Sequence, residues 1–263
     1  MNFESNDQSI NIIGTYVHRT TYAHAAALIC KWGEGRLSKY VCAASVNNIM
    51  EAYDSPIFQR VMNEADLVTP DGMPLVWALK LLGHKCATRV YGPDLTLIIL
   101  EKAALEGLQV GFYGGMSQVL DRLVEVVTRR FPRLQVVYVF SPPFRPATSE
   151  EDEQIVEEIS RSNTRILFIG LNTPKQDYWM AAHKGRVQTV MVGVGAAFDF
   201  LAGSKPQAPR WMMRIGTEWI FRLVTEPRRL WKRYLKHNPR FVLLFLMQLL
   251  GLKHFPRNLK HRA

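Results

Sequence analysis

Apolar residues in this chain come in short unbroken runs separated by amphipathic stretches, and several runs end abruptly in polar or glycine-rich residues. Within residues 165–178, RILFIGLNTPKQDY, positions 166–169 show no polar alternation. A strand covered on both faces by helices has that pattern, so this one is predicted in the middle of a parallel sheet. Past Gly170 the side chains become hydrogen-bonding, with Asn172, Thr173, Lys175 and Gln176 in succession. Open α/β sheets bind ligands beyond the carboxyl ends of their strands, which makes this a candidate binding loop. A solvated turn capped by Asn172 or Thr173 is the plainer reading. Further strands are predicted at 10–13, 40–44, 66–69, 108–113, 134–140 and 189–192. Four of them run into Ser45-Val46-Asn47-Asn48, Pro70-Asp71-Gly72, Gly114-Gly115 and Gly193-Val194-Gly195.

Between the strands lie stretches of helical character. They cover 21–32, with Thr20 or Thr21 as cap, part of 48–65, interrupted at Asp54-Ser55-Pro56, and 73–82, closed by Gly83. Next come 95–106, whose first turn suits Pro93 and Asp94 after a loop holding Arg89, then 118–131 and 175–184. Two overlapping capping-box patterns in 148–152 predict a helix over 150–162. Strand and helix alternating at this rhythm indicate an α/β protein, with a Rossmann-like, mostly parallel sheet and helices on both faces. The turn at 111–115 is not G-x-G-x-x-G, no acid ends the next strand and no P-loop lysine pattern is present. Dinucleotide dehydrogenases are therefore disfavoured.

Composition adds location. A chain of 263 residues, 48% of them hydrophobic, has material for a large core, which sets disorder aside. The opening stretch MNFESNDQSI has neither a basic segment nor an apolar one, so a cytoplasmic protein is expected. Cys30, Cys42 and Cys86 have no C-x-x-C spacing and are expected as small buried apolar residues. The net charge of +10 is concentrated: residues 205–263 hold fourteen Lys and Arg against Glu218 and Glu226, leaving that segment +12 and residues 1–204 at −2. Two regions are expected, an α/β core at 1–204 and a basic helical appendage at 205–263 whose natural partner is a polyanion.

The motifs T-P-D-G at 69–72, P-K-Q-D at 174–177, G-V-G-A-A-F-D-F at 193–200, Q-A-P-R-W at 207–211 and E-W-I-F-R-L at 218–223 before Glu226-Pro227 stand in that order. Together, over roughly residues 40–235, the chain resembles the WecG/TagA/CpsF glycosyltransferases, glycosyltransferase family 26. The resemblance implies inverting transfer of a sugar from a UDP-sugar to an undecaprenyl-diphosphate-linked saccharide at the cytoplasmic membrane face. It makes Asp71 the general base, lines the pocket with Ser45, Asn47 and Gln176, and places appendage arginines over the diphosphate. Family donors include N-acetylmannosamine, its uronic acid and glucose. Ser45 stands where threonine is common, Asp177 where glutamate is common, and Gln207 where arginine is common, the last removing a charge.

An inverting transferase needs a carboxylate for the acceptor's proton and positive charge for the departing diphosphate. No Asp-x-Asp pair is present to hold Mg²⁺, so no metal or cofactor is expected and the charge falls to Arg, Lys and helix N-termini. Arg89, Asp94, Gly114, Gly115, Asn172, Lys175, Gly195 and Asp199 are candidate contacts in the body. Arg210, Arg222, Arg228 and Arg229 are those of the appendage. Asp71 is also an ordinary turn residue, and Asp199, set among aromatics, is equally a core carboxylate. The apolar run 241–250 is too short for a span, which takes about 20 residues. Lys and Arg flank it on both sides, Lys253, Arg257 and Lys260 beyond it, so it suits an interfacial helix on anionic lipid, or else a helix packed on the core. A membrane- or nucleic-acid-binding adaptor would use the same tail, although no nucleic-acid partner is expected. An oligomer is compatible with the sequence.

Overall fold

The protein is described from a computed structural model covering residues 9–256. The chain runs through β1 (Ser9–Ile12), β2 (Thr15–His18), α1 (Tyr22–Glu34), β3 (Lys39–Ala44), α2 (Val46–Asp54), α3 (Pro56–Asn63), β4 (Leu67–Pro70) and α4 (Met73–Leu81). It continues with α5 (Gly92–Glu106), β5 (Gln109–Tyr113), α6 (Ser117–Arg130), β6 (Gln135–Phe140), α7 (Ser149–Arg161), β7 (Ile166–Ile169), α8 (Lys175–His183) and β8 (Val190–Gly193). The last elements are α9 (Ala197–Leu201), α10 (Arg210–Arg214), α11 (Glu218–Thr225) and α12 (Pro227–Leu249). Six strands form one sheet in the order β4-β3-β8-β7-β5-β6, with β3/β8, β8/β7, β7/β5 and β5/β6 parallel. The fold is thus the α/β architecture expected, and β7 lies inside the sheet with all four residues buried.

Two compact units divide this chain, with the boundary falling inside β3. One comprises Tyr22–Cys42 and Gly92–Pro206. Its core is aromatic: Phe112 of β5 stacks on Phe168 of β7 at 5.6 Å, and Phe198 meets Phe112 edge-on. Helices α1, α5, α6 and α8 pack on its strands. In α6, Val119, Leu120, Leu123 and Val127 are buried at helical spacing, while Arg122 and Arg129 pair with Glu125 on the outer face. The start of α7 is the expected capping box: Thr148 Oγ1 accepts from Glu151 N at 3.3 Å, and Glu151 returns the bond to Thr148 N at 2.9 Å.

The second unit draws on Met1–Thr21, Ala43–Tyr91 and Gln207–Ala263, as far as these are described. The basic tail therefore folds with the segment that carries Ser45, Asp71 and Arg89. Three expectations need correcting. A second strand, β2, pairs with β1 around Ile13-Gly14, both at positive φ, where a branched side chain gave no turn signal. Cys30 and Cys42 are buried, but Cys86 is exposed in the turn after α4. The 241–250 run is not a helix of its own; it is the second half of α12, which continues through Pro239 and buries Phe241, Leu244 and Phe245. Arg257 and Lys260, expected to flank it, lie outside the described residues.

Candidate active site

The ends of β3 and β4 deliver two short loops to one place. Asp71 N and Gly72 N both donate to Ala44 O, at 2.9 and 3.2 Å, which locks the turn after β4 against the end of β3. Gly72 lies directly against Ser45: a Cβ built on it would rest in van der Waals contact with Ser45 Cα at 3.4 Å. Ser45 begins α2, its N and Oγ both donating to Asn48 Oδ1 at 3.1 and 3.0 Å. Asn47 next to it has a buried side-chain oxygen with no hydrogen-bond partner among the described residues, an acceptor oxygen left for an incoming O–H or N–H.

Around these loops is a cavity lined by Ser45, Asn47, Asp71, Arg89 and Tyr91, and by Glu218, Trp219, Arg222, Arg233, Tyr234 and His237 of α11 and α12. Arg89 Nη2 lies 2.6 Å from Glu218 Oε2 and 3.4 Å from Asp71 Oδ1, while its Nε donates to Asp71 O. Its guanidinium sits over the Tyr91 ring, 4.3 Å from the centroid. The Asp71 side chain keeps 23% exposure. Burial pushes its pKa up to about 6 against the downward pull of Arg89, with Glu218 adding to the rise and Arg222 opposing it. Arg233 is held below the usual guanidinium range by burial, with Arg222 and Arg229 also lowering it. Its buried Nε has no partner among the described residues. Cationic groups packed in this way against one another are relieved by an anion.

A family model for glycosyl transferases of the WecG/TagA/CpsF family matches residues 10–255. The chain belongs to this family. An N-acetylglucosaminyldiphosphoundecaprenol N-acetyl-beta-D-mannosaminyltransferase of Bacillus spizizenii is 31% identical over 206 residues, 77% of each chain. A protein of the same name from Staphylococcus aureus is 25% identical over 243 residues, covering 90% of this chain and 92% of its own. A third, from Bacillus subtilis, is 25% identical over 189 residues, 72% of this chain and 71% of its own. This WecG/TagA/CpsF member is thus a glycosyltransferase, which sets aside the adaptor that the basic tail alone would allow.

The expected site residues fall into two groups. Ser45, Asn47, Asp71, Arg89 and Arg222 line the cavity. Arg210, Arg228 and Arg229 of the same unit do not; Arg228 is exposed, and Arg229 pairs with Glu226 at 2.5 Å. Tyr91, Glu218, Arg233 and His237 line it without having been singled out as site residues. Their signal was there in part, since Glu218 belongs to the E-W-I-F-R-L motif and Arg229 and Arg233 are one helical turn apart.

Asp94, Gly114, Gly115, Asn172, Lys175, Gln176, Gly195 and Asp199 belong to the other unit. Gly114, at φ 111°, lets β5 pass so close to β7 that an added Cβ would meet Gly170 C at 2.8 Å. Gln176 is buried at the start of α8, and its Oε1 accepts from Gly195 N at 3.0 Å, tying the loop after β8 to the loop after β7. Lys175 precedes it, and Asn172 O accepts from Gln176 N at 3.2 Å. Asp94 accepts from Tyr22 Oη at 3.4 Å. Asp199 is not the buried acid its aromatic neighbours suggested, because it is partly exposed and pairs with Lys205 Nζ at 3.1 Å. Among the described residues no three His, Cys, Asp or Glu side chains are grouped to hold a metal ion.

Proposed function

We propose that this glycosyltransferase moves a sugar from a UDP-sugar to an undecaprenyl-diphosphate-linked saccharide with inversion at the anomeric carbon. The relatives' names support N-acetyl-D-mannosamine as the sugar moved and N-acetylglucosaminyldiphosphoundecaprenol as the acceptor. The observation that carries the reading is Asp71: a carboxylate facing a cavity, braced by Arg89 and raised to a pKa of about 6. In the transfer the acceptor hydroxyl oxygen attacks the anomeric carbon, its proton passes to Asp71, and the bond from that carbon to the diphosphate breaks, with the electron pair leaving on UDP. Arg222 and Arg233 offer positive charge to a diphosphate in the same cavity. In the other unit, the glycine-rich and amide loops of Gly114, Gly195, Asn172, Lys175 and Gln176 stand beyond strand ends, where α/β sheets bind ligands.

No described helix is long and apolar enough to cross a membrane. The exposed Val242, Leu243, Leu246 and Leu249 of α12, together with the basic tail, support peripheral association with an anionic membrane surface.

The test is UDP release from a panel of UDP-sugars with lipid-diphosphate-linked N-acetylglucosamine. Asp71→Asn is expected to bind donor and to lose about 10²- to 10⁴-fold in turnover, the usual worth of general-base help. Near wild-type turnover would remove Asp71 from the mechanism. Because no Asp-x-Asp pair is present, turnover is expected to persist in EDTA; loss restored by Mg²⁺ would overturn the arginine assignment.

A further inference from the structure

The cavity holds two carboxylates, while the proposed transfer needs one base. Glu218 is the first residue of α11, where the helix dipole favours negative charge. It is 13% exposed and lies 2.6 Å from Arg89 Nη2, a full charge-assisted hydrogen bond. The same nitrogen reaches Asp71 only at 3.4 Å, the outer limit of such a bond. Arg89 cannot swing toward Asp71 to close that gap, because its Nε is tied to Asp71 O and its plane rests on Tyr91.

We propose that Glu218 is a positioning residue: it takes the stronger share of Arg89 and so leaves the Asp71 carboxylate available for the acceptor's proton. This rests on the reading of Asp71 as the base. A carboxylate in close contact with arginine commonly loses about 1 to 3 pKa units and becomes a poorer base. With Arg89 engaged on Glu218 that fall is moderated, and the negative charge of Glu218 itself raises the cost of ionising Asp71. The other groups facing this cavity are Arg222 of α11, which acts in the opposite sense, Tyr91 beside Arg89, and Arg233, Tyr234 and His237 of α12. Burial holds His237 below the ordinary histidine range, and Lys236 adds to that.

The experiment compares kcat/KM against pH for wild type, Glu218→Gln and Asp71→Asn, using a UDP-sugar and a short-chain lipid-diphosphate acceptor. Wild type is expected to rise with pH through about 6. Glu218→Gln keeps an oxygen for Arg89 but removes the charge, so its acidic limb should move down by about one unit. Should that variant fail to fold, Glu218→Asp keeps the charge but withdraws it by one methylene, and a smaller downward move is expected. A limb that superimposes on wild type while only kcat or KM changes would make Glu218 a packing residue and overturn the inference. Near wild-type activity in Asp71→Asn would instead overturn the reading on which it stands.

Discussion

Asp177 and Asp71 answer burial in the same way in different settings. Asp177 sits in the first turn of α8 with no exposed surface, and neither carboxylate oxygen reaches a partner with full hydrogen-bond geometry among the described residues. Burial lifts its pKa to about 6, although Thr173 and Cys42 lie close enough to pull it down. An unfolded aspartate titrates at about 4, so between these values the folded protein binds more protons than the unfolded one. Stability is therefore greatest at the acid end of that window and falls as pH rises through about 6. Two units correspond to about 3 kcal/mol. Relative to wild type, Asp177→Asn should gain on that order between pH 4 and 7 in urea denaturation; parallel curves would show that the folded protein does not shift this carboxyl. At this scale the sequence was readable where a turn announces itself. Pro70-Asp71-Gly72 marked the turn that carries the proposed base, whereas Glu218 and Arg233 join its cavity through the return of α11 and α12. Periodicity tells which side chains share a helix face, and not what that face meets.

Helix α12 has two apolar faces after Pro239, and they have separate consequences. Phe241, Leu244 and Phe245 are buried, while Val242, Leu243, Leu246 and Leu249 are exposed. At its first half the helix is held to α2 by Arg240 and Lys236 on Asp54 and by His237 on Glu51. Arg240 keeps Asp54 down at about 2, so this contribution is present above the usual carboxylate range and fades as pH falls below it. Substituting both Leu243 and Leu246 by glutamine should weaken binding to vesicles rich in anionic lipid while changing stability by no more than about 0.5 kcal/mol each. Phe245→Ala should do the reverse, costing about 3 to 5 kcal/mol through the cavity it leaves. Vesicle flotation and thermal melts separate the two, and loss of both properties in both variants would mean that the faces are not independent. The run 241–250 showed its apolarity in the sequence, but an almost unbroken apolar segment does not say which of its sides is covered. The β1/β2 hairpin was half legible for a related reason: Ile13 at φ 51° is an unusual turn residue, and its N–H is satisfied by Gln248, far along the chain.

For the whole molecule, the unit that bears Asp71 is assembled from three separated stretches of chain, and the third is the basic tail. A protein ending at Pro206 lacks Glu218, Arg222 and Arg233 together with the buried Phe241, Leu244 and Phe245. It should lose turnover entirely and melt earlier than the full chain, the exposed faces of α2 and the hairpin making it prone to association. Retained transfer would place the cavity's function elsewhere. Gln248 closes this unit: its Oε1 accepts from Ile13 N at 2.8 Å and its Nε2 donates to Asn11 O at 2.8 Å. The two residues Asn11 and Gln248 are 237 positions apart, so a hairpin already made by the ribosome waits for its cap while that length of chain emerges. Proteases should therefore cut the β1/β2 segment of stalled chains readily until Gln248 clears the exit tunnel.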